Sequence, residues 1–254
     1  MQCLFRFALT GNGNPNLNAC GQSLIYLIPG KLAFVSGNAS EIQALKDSLK
    51  SFDVKYISSD LHRKYIPFAF DFGPVNLGII HRFCQAFEKR LTNSSSLIVY
   101  CFEPMSAYRA NACLLLAAFM MLNKGWSLDQ ASSFFGCSKL PFPLVPFRDA
   151  TYSPANFGLT LKDCLAGLAR ASELGWYKHK AFDLASYESL DDPRAGDIHQ
   201  ICPKFVAFKG PLCIGSPFRQ NHEVAFPPSK YIPELSALGV TCVVRLNEAE
   251  TYDG

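Results

Sequence analysis

The sequence predicts an α/β fold with largely parallel central sheets, and three observations carry that reading. Short apolar runs of strand length alternate with longer stretches of helical periodicity, the pattern of strands joined by crossover helices. Glycine and proline fall between those stretches, at Pro29-Gly30, Gly73-Pro74 and Gly175, where elements end. A hydrophobic content of 49% with 18% charged residues over 254 residues is that of a globular chain, long enough for one large domain or two smaller ones.

The elements follow in order. Residues 1–22 are ambiguous. Gly11-Asn-Gly-Asn-Pro-Asn16 reads as a turn or loop; it lacks a third glycine and a following helix, so no phosphate site is expected there. Apolar runs at 24–28 and 32–35 around Pro29-Gly30 form a hairpin signature. A helix is predicted over 39–49, capped by Asn38 or Ser40, and a short strand over 54–58. Another helix starts near Val75, with Ile79, Ile80, Phe83, Phe87 and Leu91 on one face. A buried strand at 96–101 precedes a helix at about 108–122. Ser127-x-x-Gln130 is a capping box that opens a further helix. Residues 139–150 are too rich in proline to be helical. The helix predicted at 160–174 ends at Gly175, and an acidic segment at 182–192 ends at Pro193. Strands are expected at 205–208 and 240–246, with a helix at 230–238 between them.

Bulk properties exclude several function classes. A net charge of +3 is too weak to imply nucleic acid or an anionic membrane surface as partner. The longest apolar run, residues 110–122, is shorter than the roughly 20 residues a membrane span needs. Arg6 interrupts the only early apolar stretch, so no secretory signal is read. The ten cysteines include no Cys-x2-Cys pair, which excludes the usual zinc ribbons and fingers. They are read as reduced intracellular thiols, mostly core residues. Histidines 62, 81, 179, 199 and 222 form no metal-ligand spacing, so no metal and no cofactor is expected.

Two long motifs point to one family. They are Phe70-Asp-Phe-Gly-Pro-Val-Asn-Leu77 and Leu144-Val-Pro-Phe-Arg-Asp-Ala150. Others follow in order: Cys101-Phe102, Arg109-Ala-Asn-Ala112, Leu159-Thr-Leu-x-Asp-Cys-Leu-x-Gly167, Gly196-Asp197, Pro203-Lys-Phe-x-Ala-Phe-x-Gly-Pro211 and Val244-Arg-Leu-Asn247. The chain resembles the cell-division-cycle-fourteen family of dual-specificity protein phosphatases over about 65–247. The resemblance implies tandem phosphatase-like α/β domains. A non-catalytic domain would span 1–178, an acidic linker helix 179–196, and an incomplete start of the catalytic domain 197–254. It also implies dephosphorylation of tyrosine and serine/threonine-proline phosphoproteins in cell-cycle control, through a cysteinyl-phosphate intermediate, in nucleus or cytoplasm. The alternative is a non-catalytic module that binds substrates or partners.

The chemistry of that family needs His-Cys-x5-Arg, whose backbone N–H groups form a nest for phosphate while the arginine clamps its oxygens. It also needs a thiolate nucleophile and an aspartate that protonates the leaving group. No cysteine here qualifies. Cys213 has Arg219 six positions on, but Pro217 intervenes and no histidine precedes. Cys101 stands where a nucleophile would, after a strand and before a helix, yet Ala107 occupies the arginine position, Arg109 is two residues too far and Pro104 interrupts the loop. A structural remnant is the expected reading, with no catalytic residue in 1–254 and no activity of these residues alone. Asp71-Phe-Gly resembles a kinase motif but lacks its companions. Arg148-Asp149 is read as an interface ion pair or a turn-stabilising pair, with the structural role preferred.

The resemblance further implies that acidic side chains near the linker select a basic residue downstream of phosphoserine-proline. It places Glu188, Asp191 and Asp197 in that role, with Ala185 and Arg194 departing from the acid-rich pattern. The competing reading is a solvated acidic helix end before the turn at Pro193.

Overall fold

The computed structural model describes residues 24–59, 65–136, 140–212 and 226–246. The expected turn at 11–16, the Cys213–Arg219 pair, His62 and His222 lie outside them. The chain divides into two compact units, 1–170 and 171–254.

The first unit is built on a four-stranded sheet. Strands β1 (Ile25–Ile28) and β2 (Leu32–Ser36) form the expected antiparallel hairpin, with Gly30 at φ +66° in its turn. β2 then runs parallel to β4 (Leu97–Phe102), which also pairs in parallel with β3 (Val54–Ser58), giving the order β1-β2-β4-β3. Every residue of β2 and β4 is buried. That is the signature of central strands covered on both faces, which need apolar side chains at consecutive positions rather than alternate ones.

Helix α1 (Ala39–Ser48) covers one face. Asn38 caps it in a full capping box with Glu41, which resolves the choice between Asn38 and Ser40. Its Leu45 packs with Ala33, Val35, Leu97, Val99 and Cys101. The other face carries an aromatic core. Phe34 stacks on Phe102 and Phe135, and Phe87 of α2 (Leu77–Thr92) meets Tyr100 and Phe119. α3 (Ser106–Lys124) is buried from Ala110 to Met120. It is therefore a core helix, apolar on all sides because other elements surround it. α4 (Leu128–Phe135) opens at the expected Ser127–Gln130 capping box. A two-stranded ribbon, β5 (Phe147–Arg148) with β6 (Gly158–Leu159), precedes α5 (Leu161–Glu173). The expected start of α2 near Val75 shifts by two residues, because Asn76 is the cap whose side chain accepts the Ile79 amide.

The second unit contains α6 (Leu184–Asp191), an antiparallel pair β7 (Ile198–Cys202) and β8 (Phe205–Phe208), and α7 (Ile232–Ala237). Ile198, Tyr231 and Leu235 form its core. Strand β7 is not expected from the sequence, because His199 and Gln200 break its apolar run. The strand expected at 240–246 is corrected: no strand forms there among the described residues. Val244 and Leu246 are 73% and 94% exposed. Residues 241–246 are of strand-forming types, but no strand pairs with them among the described residues, and a strand exists only as a pair. The mostly parallel sheet is thus found in the first unit, while the second holds an antiparallel pair among its described residues.

Candidate functional site

Cys101 lies at the end of β4, before the loop 103–105 and helix α3. Its side chain is 2% exposed and points into the cluster around Leu45 and Val99, away from the loop. Burial pushes its thiol up to about 11, against a smaller opposing pull from Lys46. A thiolate nucleophile requires the opposite shift. The loop also has features that disfavour an anion. Pro104 has no N–H, Met105 at the helix cap offers no side-chain hydrogen bond, and Glu103 adds an exposed carboxylate that repels an anion. Arg109 turns aside: its Nε donates to Ser36 Oγ at 2.9 Å and its guanidinium stacks 4.6 Å from the Phe142 ring centroid.

The signature motifs of this unit hold the fold. Asn111 is 3% exposed; its Oδ1 accepts the Val75 amide at 3.1 Å and its Nδ2 donates to the carbonyls of Phe72 and Ala107. Asp71 accepts hydrogen bonds from Tyr65 Oη at 2.5 Å and from the amides of Ala69 and Phe68. Burial raises the Asp71 carboxyl, but these donors together outweigh burial and hold it below its ordinary value. Arg148 donates to the carbonyls of Asp149, Thr151 and Ser153, so it pins a turn. These are loop clamps, and none presents a reacting group.

In the second unit the acidic turn is organised by Asp192. Its carbonyl accepts the amides of Ala195, Gly196 and Asp197, and its carboxylate holds Arg194 in an ion pair at 2.7 Å. Arg194 is therefore directed at Asp192. Gly196 sits at φ +120° against the Tyr231 ring, where a Cβ would come within 2.8 Å of a ring carbon. Asp197 follows at φ +51°, a left-handed conformation that aspartate tolerates better than most residues. This turn carries the chain from α6 into β7 and brings Asp197 back beside Asp191.

Between them lies a residue that sequence reasoning missed as a site member. His199 Nε2 is 2.7 Å from Asp197 Oδ1 and 3.5 Å from Asp191 Oδ1, all three side chains being partly exposed. Their nearest donor atoms lie within 4.8 Å of one another. The His199–Asp197 hydrogen bond lies within this cluster, and the two aspartates face the same imidazole nitrogen. That bond is the main cause raising the His199 pKa above its ordinary value; burial opposes it, and the charges of Asp197 and Asp191 add to it. Glu188 is half-buried one turn before Asp191 on α6 and stands outside this trio. The signal available in the sequence was a histidine two residues after an acid, legible only once β7 is known to be a strand.

A strand–loop–helix framed like a cysteine-phosphatase site but emptied of its phosphate-binding residues, on a mostly parallel sheet, defines a phosphatase-like α/β domain. Residues 26–171 match the family described as dual specificity protein phosphatase, N-terminal half. The chain is 32% identical over 205 residues to dual specificity protein phosphatase CDC14C of Homo sapiens, covering 79% of this chain and 45% of that one. It is 33% identical over 202 residues to CDC14A of Homo sapiens, 76% and 33% of the two chains. It is 35% identical over 150 residues to tyrosine-protein phosphatase CDC14 of Saccharomyces cerevisiae, 58% and 27%. The chain belongs to the cell-division-cycle-fourteen family of dual-specificity protein phosphatases and corresponds to its N-terminal region. It spans less than half the length of these curated relatives. Among the described residues, no helix is long and apolar enough to cross a membrane.

Proposed function

We propose that this chain serves phosphoprotein dephosphorylation as a substrate-selecting part. Its first unit is the non-catalytic scaffold. The acids Glu188, Asp191 and Asp197 recognise a basic residue downstream of a phosphoserine-proline site. The cysteinyl-phosphate step needs a His-Cys-x5-Arg loop that these 254 residues do not contain. The observation that carries the reading is the convergence of Asp191 and Asp197, six positions apart in sequence, within 4.8 Å beside a partly exposed surface. Clustered carboxylates attract a lysine or arginine through charge-assisted hydrogen bonds.

Fluorescence anisotropy of the chain 1–254 with phosphoserine-proline peptides tests it. Glu188→Lys with Asp191→Lys is expected to weaken a peptide with lysine at +3 about tenfold, the equivalent of one such hydrogen bond. An alanine +3 peptide should change less than about twofold, since only the peptide's own charge was addressed. Equal losses for both peptides would refute the groove. The same chain is expected to show no turnover of p-nitrophenyl phosphate, and Cys101→Ser no effect on that baseline, because the thiol is buried and protonated. Steady turnover abolished by Cys101→Ser would overturn this.

A second reading, a non-catalytic docking module, draws on an exposed aromatic group in the first unit. Phe68, Phe70 and Tyr152 are each more than half exposed, Phe70 and Tyr152 meet edge-to-face at 5.4 Å, and Tyr152 Oη donates to the Phe68 carbonyl. Exposed aromatics grouped this way mark interaction surfaces. Phe70→Ser with Tyr152→Ser should leave peptide affinity unchanged under the first reading and reduce it under the second.

A further inference from the structure

We propose that His199 is a specificity-determining residue of the acidic surface: protonated, it occupies the Asp191–Asp197 pair as an internal cation and competes with a basic side chain of the phosphopeptide; neutral, it leaves the pair's charge to the substrate. This rests on the acidic-groove reading above and deepens it. The geometry carries it. The imidazole Nε2 lies within hydrogen-bond distance of Asp197 and 3.5 Å from Asp191, which is where an incoming ammonium or guanidinium would have to bind.

Among the described residues, the following groups lie near His199. Helix α6 contributes Asp191 and, at 5.9 Å between ring centroids, Tyr187. Glu188 lies one turn further back on the same helix. The turn contributes Asp197, whose carbonyl accepts the Lys209 amide from just beyond β8. Directly across the ladder in β8 is Ala207, which carries no charge. Tyr231, ahead of α7, is influenced by Asp197 as well, and burial and that charge both push its phenol upward. Imidazole is the side chain whose ordinary pKa lies between pH 6 and 8.5. The His199–Asp197 bond favours the protonated form and raises the imidazole above its ordinary value, with burial opposing.

Two salt bridges to one substrate cation would be worth little on an open surface. Here the acids are already held together by the turn, so the internal cation is matched against the substrate's at the same two oxygens. Competition of that kind changes the preference for a basic side chain and leaves binding of the rest of the peptide as it was.

The test measures, for the chain 1–254, the ratio of affinities for the lysine +3 and alanine +3 phosphopeptides at pH 6.0 and pH 8.5. Ionisation of the phosphate near pH 6 is common to both peptides and cancels in the ratio. The wild-type ratio is expected to rise about fivefold from pH 6.0 to 8.5, a little over 0.9 kcal/mol. In His199→Gln and, as a second variant, His199→Asn, the ratio should be high at both pH values. The imidazole titration of His199 followed by NMR should have its midpoint above the ordinary histidine value in wild type and fall toward it in Asp197→Asn. A wild-type lysine preference that does not vary with pH would overturn the role of His199 while leaving the groove intact. No lysine preference at any pH in wild type or variants would overturn the groove and this inference together. An unmoved midpoint in Asp197→Asn would overturn the ion pair.

Discussion

Gly73→Ala is expected to destabilise the first unit by about 2–4 kcal/mol, among the largest effects of any single methyl group in this protein. Gly73 has φ +155°, and a Cβ there would stand 2.6 Å from Asn111 Oδ1 and 2.8 Å from two carbons of the Phe147 ring. Neither neighbour can retreat. Asn111 is fixed by the Val75 amide and the Phe72 carbonyl, and Phe147 is 2% exposed in β5. Asn111→Ala is expected to cost about 1–3 kcal/mol by leaving the buried Val75 amide without its acceptor. The two substitutions strike the same contact, so the double variant should lose less than the sum. Gly167→Ala is the control. It lies in the interior of α5 with nothing within 4 Å of an added methyl, so alanine should be neutral or stabilising by up to about 1 kcal/mol. Urea unfolding followed by circular dichroism measures all four. Equal midpoints for Gly73→Ala and Gly167→Ala would refute the packing argument.

Phe87→Ala is expected to cost about 3–5 kcal/mol, the range for emptying a buried phenylalanine site. Its ring is 2% exposed and lies 4.1 Å from Phe83, with Tyr100 of β4 edge-on at 5.4 Å and Phe119 of α3 at 5.9 Å. It is therefore a side chain through which α2 touches both the sheet and the central helix. Leu91→Ala, on the same helical face but half-buried in the last turn, should cost about 1 kcal/mol. Thermal unfolding of the two variants side by side checks this. Similar losses would mean that the helix packs by its whole stripe rather than through Phe87.

That contrast marks how far periodicity reaches. Spacing put Phe87 and Leu91 on one face alike, because a helix repeat fixes direction around the axis. It holds nothing about which turn of the helix meets a neighbour. The same limit separates the two strand expectations of the second unit. Residues 205–208 pair with β7 and form a strand, while residues 240–246, also rich in β-branched residues, do not. A strand is a property of two segments, and the sequence of one cannot supply the other.

The site shows a parallel division. That no cysteine carries the full His-Cys-x5-Arg pattern was readable, since the motif is contiguous: only Cys213 has the arginine spacing, and it has no preceding histidine and a proline in between. The Asp-Phe-Gly-Pro-x-Asn and Arg-Ala-Asn-Ala motifs were visible as signatures, but their work was not. Asn111 reaches back 36 residues to the Val75 amide, a contact that exists only after α3 packs beside the 72–75 loop.

By itself the sequence determined the mostly parallel α/β framework, the cap at Ser127, the family, and that no cysteine in these 254 residues carries the contiguous His-Cys-x5-Arg pattern. Each of these is written in local spacing or in contiguous residues. Tertiary structure alone decided that Cys101 faces the core, that Arg194 is directed at Asp192, and that His199 stands between Asp191 and Asp197. Those facts depend on where a left-handed turn at Gly196-Asp197 sends the chain, and on which face of a strand is buried. Both are settled by packing between segments, which carries no local signature.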